Sequence, residues 1–166
     1  MHIWTLEQWV KNLHYGERSY RRGLRLVFDK DVSPLLRREC KQFAAWLRKE
    51  YFFPVRVPVY FRNTPKLRCR DGDTAYGTFF RPDSYEVEPY IRIAVGDFPA
   101  LCSKWGEEDA VYAVLKTLSP ELTHYFQWIN GLPLTPIGEE RQATAYAGYI
   151  MDEYAEIWDG LPSTDI

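Results

Sequence analysis

The sequence predicts an α+β domain in which a small mixed β-sheet of about four strands is packed by helices. Three observations lead to this prediction. Short stretches with strand-like patterns recur between residues 24 and 95. An amphipathic helix at residues 34–50 interrupts them, and two long helical stretches follow within residues 107–157. After a leading helix, the order of elements is therefore β-α-β-β-β-α-α.

The length of 166 residues suits one domain with a sizeable core. We expect a single domain over residues 1–166 with three parts. Residues 1–23 form a helical and basic segment, residues 24–95 form the sheet-rich part with its helix at 34–50, and residues 107–157 carry the helices with the functional motif.

The first 25 residues contain one predicted helix and a basic cluster. The stretch from Thr5 to Gln8 is typical of a capping box and predicts a short helix that ends near Gly16. A basic cluster, Arg18, Arg21, Arg22 and Arg25, then surrounds Tyr20. Such a cluster suits phosphate contacts or a solvated surface.

The next elements are a strand, a helix and a second strand. Alternation predicts a strand over residues 24–28, and Ser33-Pro34 predicts the N-cap and first position of a helix. The apolar face of that helix consists of Leu36, Cys40, Phe43 and Leu47. A strand over residues 55–61 follows, and Pro58 within it indicates an edge strand or a bulge.

The second half begins with strands at residues 74–81 and 90–95, and the sheet portion ends at Gly96. The acids at 107–109 suit a helix N-terminus. Pro120 predicts a kink or break in this helix, with Ser119 capping the second half. Asn130-Gly131 predicts its end. The final helix covers residues 138–157 and packs through Ala143, Tyr146, Ala147 and Ile150.

Charge is distributed unevenly along the chain. Residues 1–70 carry 16 Lys and Arg against 6 Asp and Glu, whereas residues 71–166 carry 5 against 17. The asymmetry indicates either a polyanion-binding surface in the basic half or two halves that fold together and partly neutralise each other.

The composition of the chain bears on its compartment and on a membrane as partner. The three cysteines, Cys40, Cys69 and Cys102, are odd in number and far apart, which favours reduced thiols over a disulfide framework. No stretch approaches the roughly 20 apolar residues of a membrane span, and the first residues lack the features of a signal peptide. We therefore expect a cytoplasmic protein with no membrane partner.

The stretch from Leu118 to Trp128 carries the candidate chemistry. Residues three and four apart share a helix face, so Glu121 and His124 point the same way. This is the geometry of the zinc motif His-Glu-x-x-His, in which two histidines hold the metal and the glutamate is the general base. Pro120 stands where the first histidine of that motif would be.

Together with Glu140-Arg-Gln-Ala143 further along, this stretch resembles the compact zinc metallopeptidases of the gluzincin type. The resemblance covers residues 107–156 and implies a zincin-like fold. It also implies that His124 and Glu140 are zinc ligands, that Glu121 is the catalytic base, and that zinc is the cofactor. In the resembled peptidases, a strand before the metal helix forms the edge along which an extended substrate lies.

Three functional hypotheses follow. The first is a metallopeptidase-like protein that has lost zinc and hydrolysis and binds a peptide or protein, because Pro120 removes one ligand. The second is an active zinc-dependent peptidase whose further ligand comes from elsewhere. The third is a nucleic-acid-associated module that uses the basic residues 1–70.

Each site residue also has a purely structural interpretation. His124 suits a hydrogen-bonded core histidine. Glu121 and Glu140 suit acids that complement a helix dipole.

Overall fold

The computed structural model describes residues 1–13 and 21–160. The elements, in order, are a 3-10 turn (Ile3–Thr5), α1 (Trp9–Asn12), β1 (Leu24–Phe28), α2 (Pro34–Glu50), β2 (Val57–Arg62), β3 (Leu67–Arg68), β4 (Thr74–Ala75), β5 (Gly77–Phe80), β6 (Tyr90–Ala94), α3 (Phe98–Trp105), α4 (Glu107–Ile129) and α5 (Pro136–Ala155). The α+β class and the four-stranded mixed sheet are confirmed. Among the described residues, none of the helices combines the length and the hydropathy of a membrane span.

The sheet has the order β1-β2-β6-β5. Strands β1, β2 and β6 are parallel, and β5 runs antiparallel to β6 at one edge. The connection from β1 to β2 contains α2, as parallel pairing requires. A separate two-stranded hairpin, β3-β4, lies between β2 and β5 in the chain.

One face of the sheet forms the core with the helices. Its central strands bury Val57, Val59, Phe61, Ile91 and Ile93. The predicted apolar faces of α2 and α5 are also buried, which confirms both periodicities. The helix α4 supplies the largest share of buried side chains, from Ala110 to Ile129.

The N-terminal segment packs against α4. Trp4 is buried, donates from Nε1 to Oγ1 of Thr123 (3.0 Å) and stacks on Phe126 with ring centroids 5.0 Å apart. The Thr5–Gln8 capping box is wrong, because Gln8 is the N-cap without a side-chain bond and Thr5 donates to the carbonyl of His2. The helix α1 ends at Asn12, four residues before its predicted end near Gly16. Gly16, and Arg18 and Tyr20 of the basic cluster, lie outside the described residues.

Pro58 is not on an edge strand, because β2 lies between β1 and β6. The N–H of Val57 donates to Gly23 on the β1 side, so an N–H at position 58 would face β6. The β2-β6 pairing begins only at Val59. Pro58 therefore lies before the first β2-β6 pair. Its lack of an N–H removes no hydrogen bond between these strands.

The predicted break at Pro120 is also wrong. α4 is one helix of 23 residues with Pro120 inside it. Instead of capping a second half, Ser119 donates its hydroxyl to the carbonyl of Leu115, one turn earlier (3.0 Å). Packing of the apolar face on both sides of Pro120 outweighs the loss of one backbone hydrogen bond, which costs about 3 kcal/mol in an isolated helix.

The short strand β3 and the helix α3 were not predicted. α3 follows the turn-like stretch at 96–99, and its Pro99 lies in the first helical turn, where no N–H donor is needed. The predicted strand at 74–81 is divided at Tyr76 into β4 and β5, which belong to different sheets. α5 begins at Pro136 and ends at Ala155, two residues earlier at each end than predicted.

Candidate functional site

The three predicted site residues lie around one cavity. Glu121 and His124 project from α4, and Glu140 comes from the first turns of α5. Nε2 of His124 lies 3.3 Å from Oε1 of Glu140. The His124 side chain is 13% exposed and that of Glu140 is 74% exposed, so the pair spans from the cavity wall to solvent.

Gln127 fixes the orientation of His124. The amide nitrogen of Gln127 donates to the carbonyl of Glu139 (3.0 Å) and to Oε1 of Gln142 (2.9 Å). Its amide oxygen is therefore the acceptor in the 2.8 Å contact with Nδ1 of His124. Nδ1 therefore donates in this contact, and the ring orientation leaves Nε2 facing the carboxylate of Glu140.

Glu121 lies beneath the edge strand β5. A Cβ added to Gly77 would come within 3.1 Å of Cγ and 3.2 Å of Oε1 of Glu121, so the absence of a side chain at Gly77 leaves room for this carboxyl group. Burial raises the pKa of Glu121 from 4.5 to about 8, with a smaller contribution from the negative charge of Glu140. The carboxyl group is therefore mostly protonated at neutral pH.

The cavity has a volume of about 400 Å³ and is bounded by strand and helix. On the strand side lie Cys69, from the turn of the β3-β4 hairpin, and residues of β4 and β5. Arg81, just after β5, donates from Nη1 to Oε1 of Glu139 (3.0 Å) and so ties the end of the strand to α5.

The sequence did not indicate Cys69, Gly77, Arg81 or Gln127 as site residues. Gln127 stands one turn after His124, so helical spacing was a usable signal for it. The other three come from the strand region, more than 40 residues before His124, and only the tertiary fold brings them to the cavity.

The residues present do not fit a catalytic zinc ion. Such a site needs three protein ligands, whereas Pro120 offers no donor atom. Within residues 1–13 and 21–160, no group of three His, Cys, Asp or Glu is arranged to hold a metal. His2 contacts Tyr51 (3.2 Å) and Glu153 (3.3 Å) instead, and His14 lies outside the described residues.

The basic half of the chain uses many of its arginines for internal contacts. Arg37 donates to the carbonyls of Asp29, Lys30 and Val32, and Arg48 donates to that of Leu24. Two further arginines form ion pairs, Arg56 with Glu88 (2.6 Å) and Arg62 with Asp29 (3.2 Å). Among these contacts, only the Arg56–Glu88 pair joins the basic half to the acidic half, and the bonds to carbonyls hold arginines in place without neutralising their charge.

Comparison with known proteins adds no further assignment: no protein-family model, curated protein or solved structure matches this chain.

Proposed function

We propose that this protein is a zincin-like, metallopeptidase-like protein without zinc-dependent hydrolysis, and that it binds an extended peptide or protein segment along β5. The observation that carries the proposal is the position of β5. It is the antiparallel edge strand of the sheet, and it lies directly over the Glu121 side chain of α4.

The backbone of β5 offers hydrogen-bonding groups to a ligand. The carbonyl of Tyr76 accepts from the N–H of Ala94, so alternate residues of β5 from position 76 face β6. In an antiparallel pair, the residues between them turn their N–H and C=O groups away from the partner strand. Gly77 and Phe79 therefore direct these groups to the open edge, where a peptide can add as a further strand.

The cavity below this edge is lined by polar side chains that an added strand would contact. The protonated carboxyl group of Glu121 is a hydrogen-bond donor suited to a peptide carbonyl. The exposed carboxylate of Glu140 suits a basic side chain or an N–H group. These residues bind and orient, and the ligand set supports no hydrolytic step through a metal.

The resemblance to gluzincins attributes the proposed loss of zinc to a single ligand position, Pro120. If α4 descends from a zinc-binding helix, Pro120 replaced a ligand while Glu121, His124 and Glu140 kept their places. The alternative, an active zinc peptidase with a further ligand, differs from this proposal in metal content.

The first experiment measures zinc per chain by elemental mass spectrometry after purification without chelator. We expect the parent protein to be essentially empty and Pro120→His to bind about one zinc, because the three-ligand set is then complete. Pro34→His is the control, since it also replaces a helical proline with histidine, but at the first position of α2 and away from the site, and it should stay empty. About one zinc in the parent with cleavage of peptides contradicts the proposal in favour of the active peptidase. No uptake by folded Pro120→His contradicts the descent from a zinc site.

The second experiment tests the groove. A pool of random decapeptides is titrated into ¹⁵N-labelled protein, and backbone amide resonances are followed. Strand addition should shift and protect the amides of Gly77 and Phe79 more than that of Thr78, whose amide faces β6. Equal effects on all three, or none, contradict binding along β5.

A further inference from the structure

The sheet face opposite the helical core carries a continuous set of aromatic and arginine side chains. The strand register places Val27, Tyr60, Arg92 and Thr78 side by side across all four strands. The neighbouring row includes Arg25 of β1 with the pair Tyr90 and Phe80. Because side chains alternate between faces, these residues lie opposite the buried Val59, Phe61, Ile91 and Ile93.

The aromatic rings of this face contact one another. Phe80 stacks on Tyr90 with centroids 4.9 Å apart, and Tyr60 meets Tyr90 edge to face at 6.1 Å. All three rings remain partly exposed. They form a row of π-systems across β2, β6 and β5 that is accessible from solvent.

Positive charges surround the rings. Arg25 is exposed, and Arg92 is held beside the rings by a bond from Nε to Oγ1 of Thr78 (3.3 Å). From the turn of the β3-β4 hairpin, the guanidinium of Arg70 lies 5.9 Å from the centroid of Phe80. The two rows themselves contain no acidic residue. The acids that border them, Asp29 after β1 and Glu88 before β6, are paired with Arg62 (3.2 Å) and Arg56 (2.6 Å).

We propose that this face binds single-stranded nucleic acid. Aromatic side chains on an open sheet accept unstacked bases, and flanking arginines contact the phosphates. A duplex keeps its bases stacked inside, so it cannot use the rings. An acidic peptide would use the arginines but gains little from a row of rings. The inference is independent of the proposed peptide groove, which lies at the edge of β5 and below it.

The test measures binding of fluorescein-labelled 12-nucleotide oligo(dT) and oligo(rU) by fluorescence anisotropy, with the full chain at 50 and 200 mM salt. Contacts with three phosphates predict a slope of log affinity against log salt of about -2, hence a loss of about 20-fold over this range. The DNA and RNA arms identify which polymer is preferred. A 12-base-pair duplex should bind more weakly than either strand.

Two variants and two matched controls locate the site. Tyr90→Leu keeps an apolar side chain but removes the ring, and should weaken binding about tenfold. Arg92→Gln should weaken binding and reduce the magnitude of the salt slope by about 0.7. Tyr149→Leu and Arg141→Gln remove an exposed tyrosine and an exposed arginine of α5, and should leave binding unchanged. Thermal unfolding checks that each variant is folded.

Each remaining outcome contradicts the proposal. These outcomes are no binding of either strand, equal binding of the duplex, and equal effects of the α5 controls. A further outcome is that polyglutamate at the same charge concentration displaces the oligonucleotide and Tyr90→Leu has no effect. This result would show a site for acidic protein segments instead. If Tyr90→Leu does not fold, Tyr60→Leu removes the neighbouring ring and gives the same readout.

Discussion

Glu121 should destabilise the folded protein at neutral pH, and Glu121→Gln should stabilise it. The folded-state pKa of about 8 lies above the ordinary value of 4.5 because the carboxylate would be buried beneath β5. A raised pKa means that the folded state favours the protonated form. The stability that the protonated Glu121 side chain contributes is therefore fully present below about pH 4.5 and is lost as the pH rises towards 8.

The size of this effect follows from the two pKa values. Each pKa unit corresponds to about 1.4 kcal/mol, so ionisation of Glu121 lowers the free energy of unfolding by less than about 1 kcal/mol at pH 5 and by about 3 kcal/mol at pH 7. Glutamine has a similar shape and does not ionise. The advantage of Glu121→Gln over the parent in free energy of unfolding should therefore grow by about 2 kcal/mol between the two pH values, as an upper limit.

Urea unfolding of both proteins at pH 5 and pH 7 measures this difference, and other titrating groups cancel in the comparison. Glu156→Gln replaces an exposed glutamate after α5 and should show no such growth. If the advantage of Glu121→Gln changes by less than about 0.5 kcal/mol, burial does not control this carboxyl group, and the reasoning fails.

Two further predictions concern packing around the site. Tyr125→Phe should lower the free energy of unfolding by about 1–3 kcal/mol in urea titrations, because the Tyr125 hydroxyl group accepts from the N–H of Val55 (3.0 Å) and donates to its carbonyl. Tyr149→Phe on α5 is the control, and an equal effect there would contradict the assignment. Gly77→Ala should lower the melting temperature, since its Cβ would press on Glu121. Gly148→Ala, with open space around it inside α5, should raise the melting temperature, and an equal rise for both would show that β5 has room above Glu121.

Periodicity was sufficient to predict most helices and strands. The faces of α2 and α5 repeat at helical spacing over four or more turns, and such long patterns are reliable. The eight-residue helix α3 gives too short a pattern, and Gly106, with a φ of 91°, separates it from α4. Strand order was not predictable, because pairing depends on contacts between residues far apart in the chain.

The candidate site divides in the same way. Glu121 and His124 were predicted to share a face because helical spacing is local information. Glu140 was placed by resemblance, and its proximity to His124 depends on how the loop after Asn130 returns α5 to α4. Cys69 and Arg81 reach the cavity only through the hairpin and the edge strand, whose positions no local pattern specifies.

The docking of Trp4 on Thr123 and Phe126 has a consequence for protein synthesis. The partners are about 120 residues apart, and ribosomes add about 5–20 residues per second, so Trp4 leaves the ribosome about 6–24 s before its site on α4 exists. During that interval Ile3 and Trp4, which are buried at the end, are exposed to other chains and to chaperones. The N-terminal segment can therefore dock only after most of the domain has been synthesised.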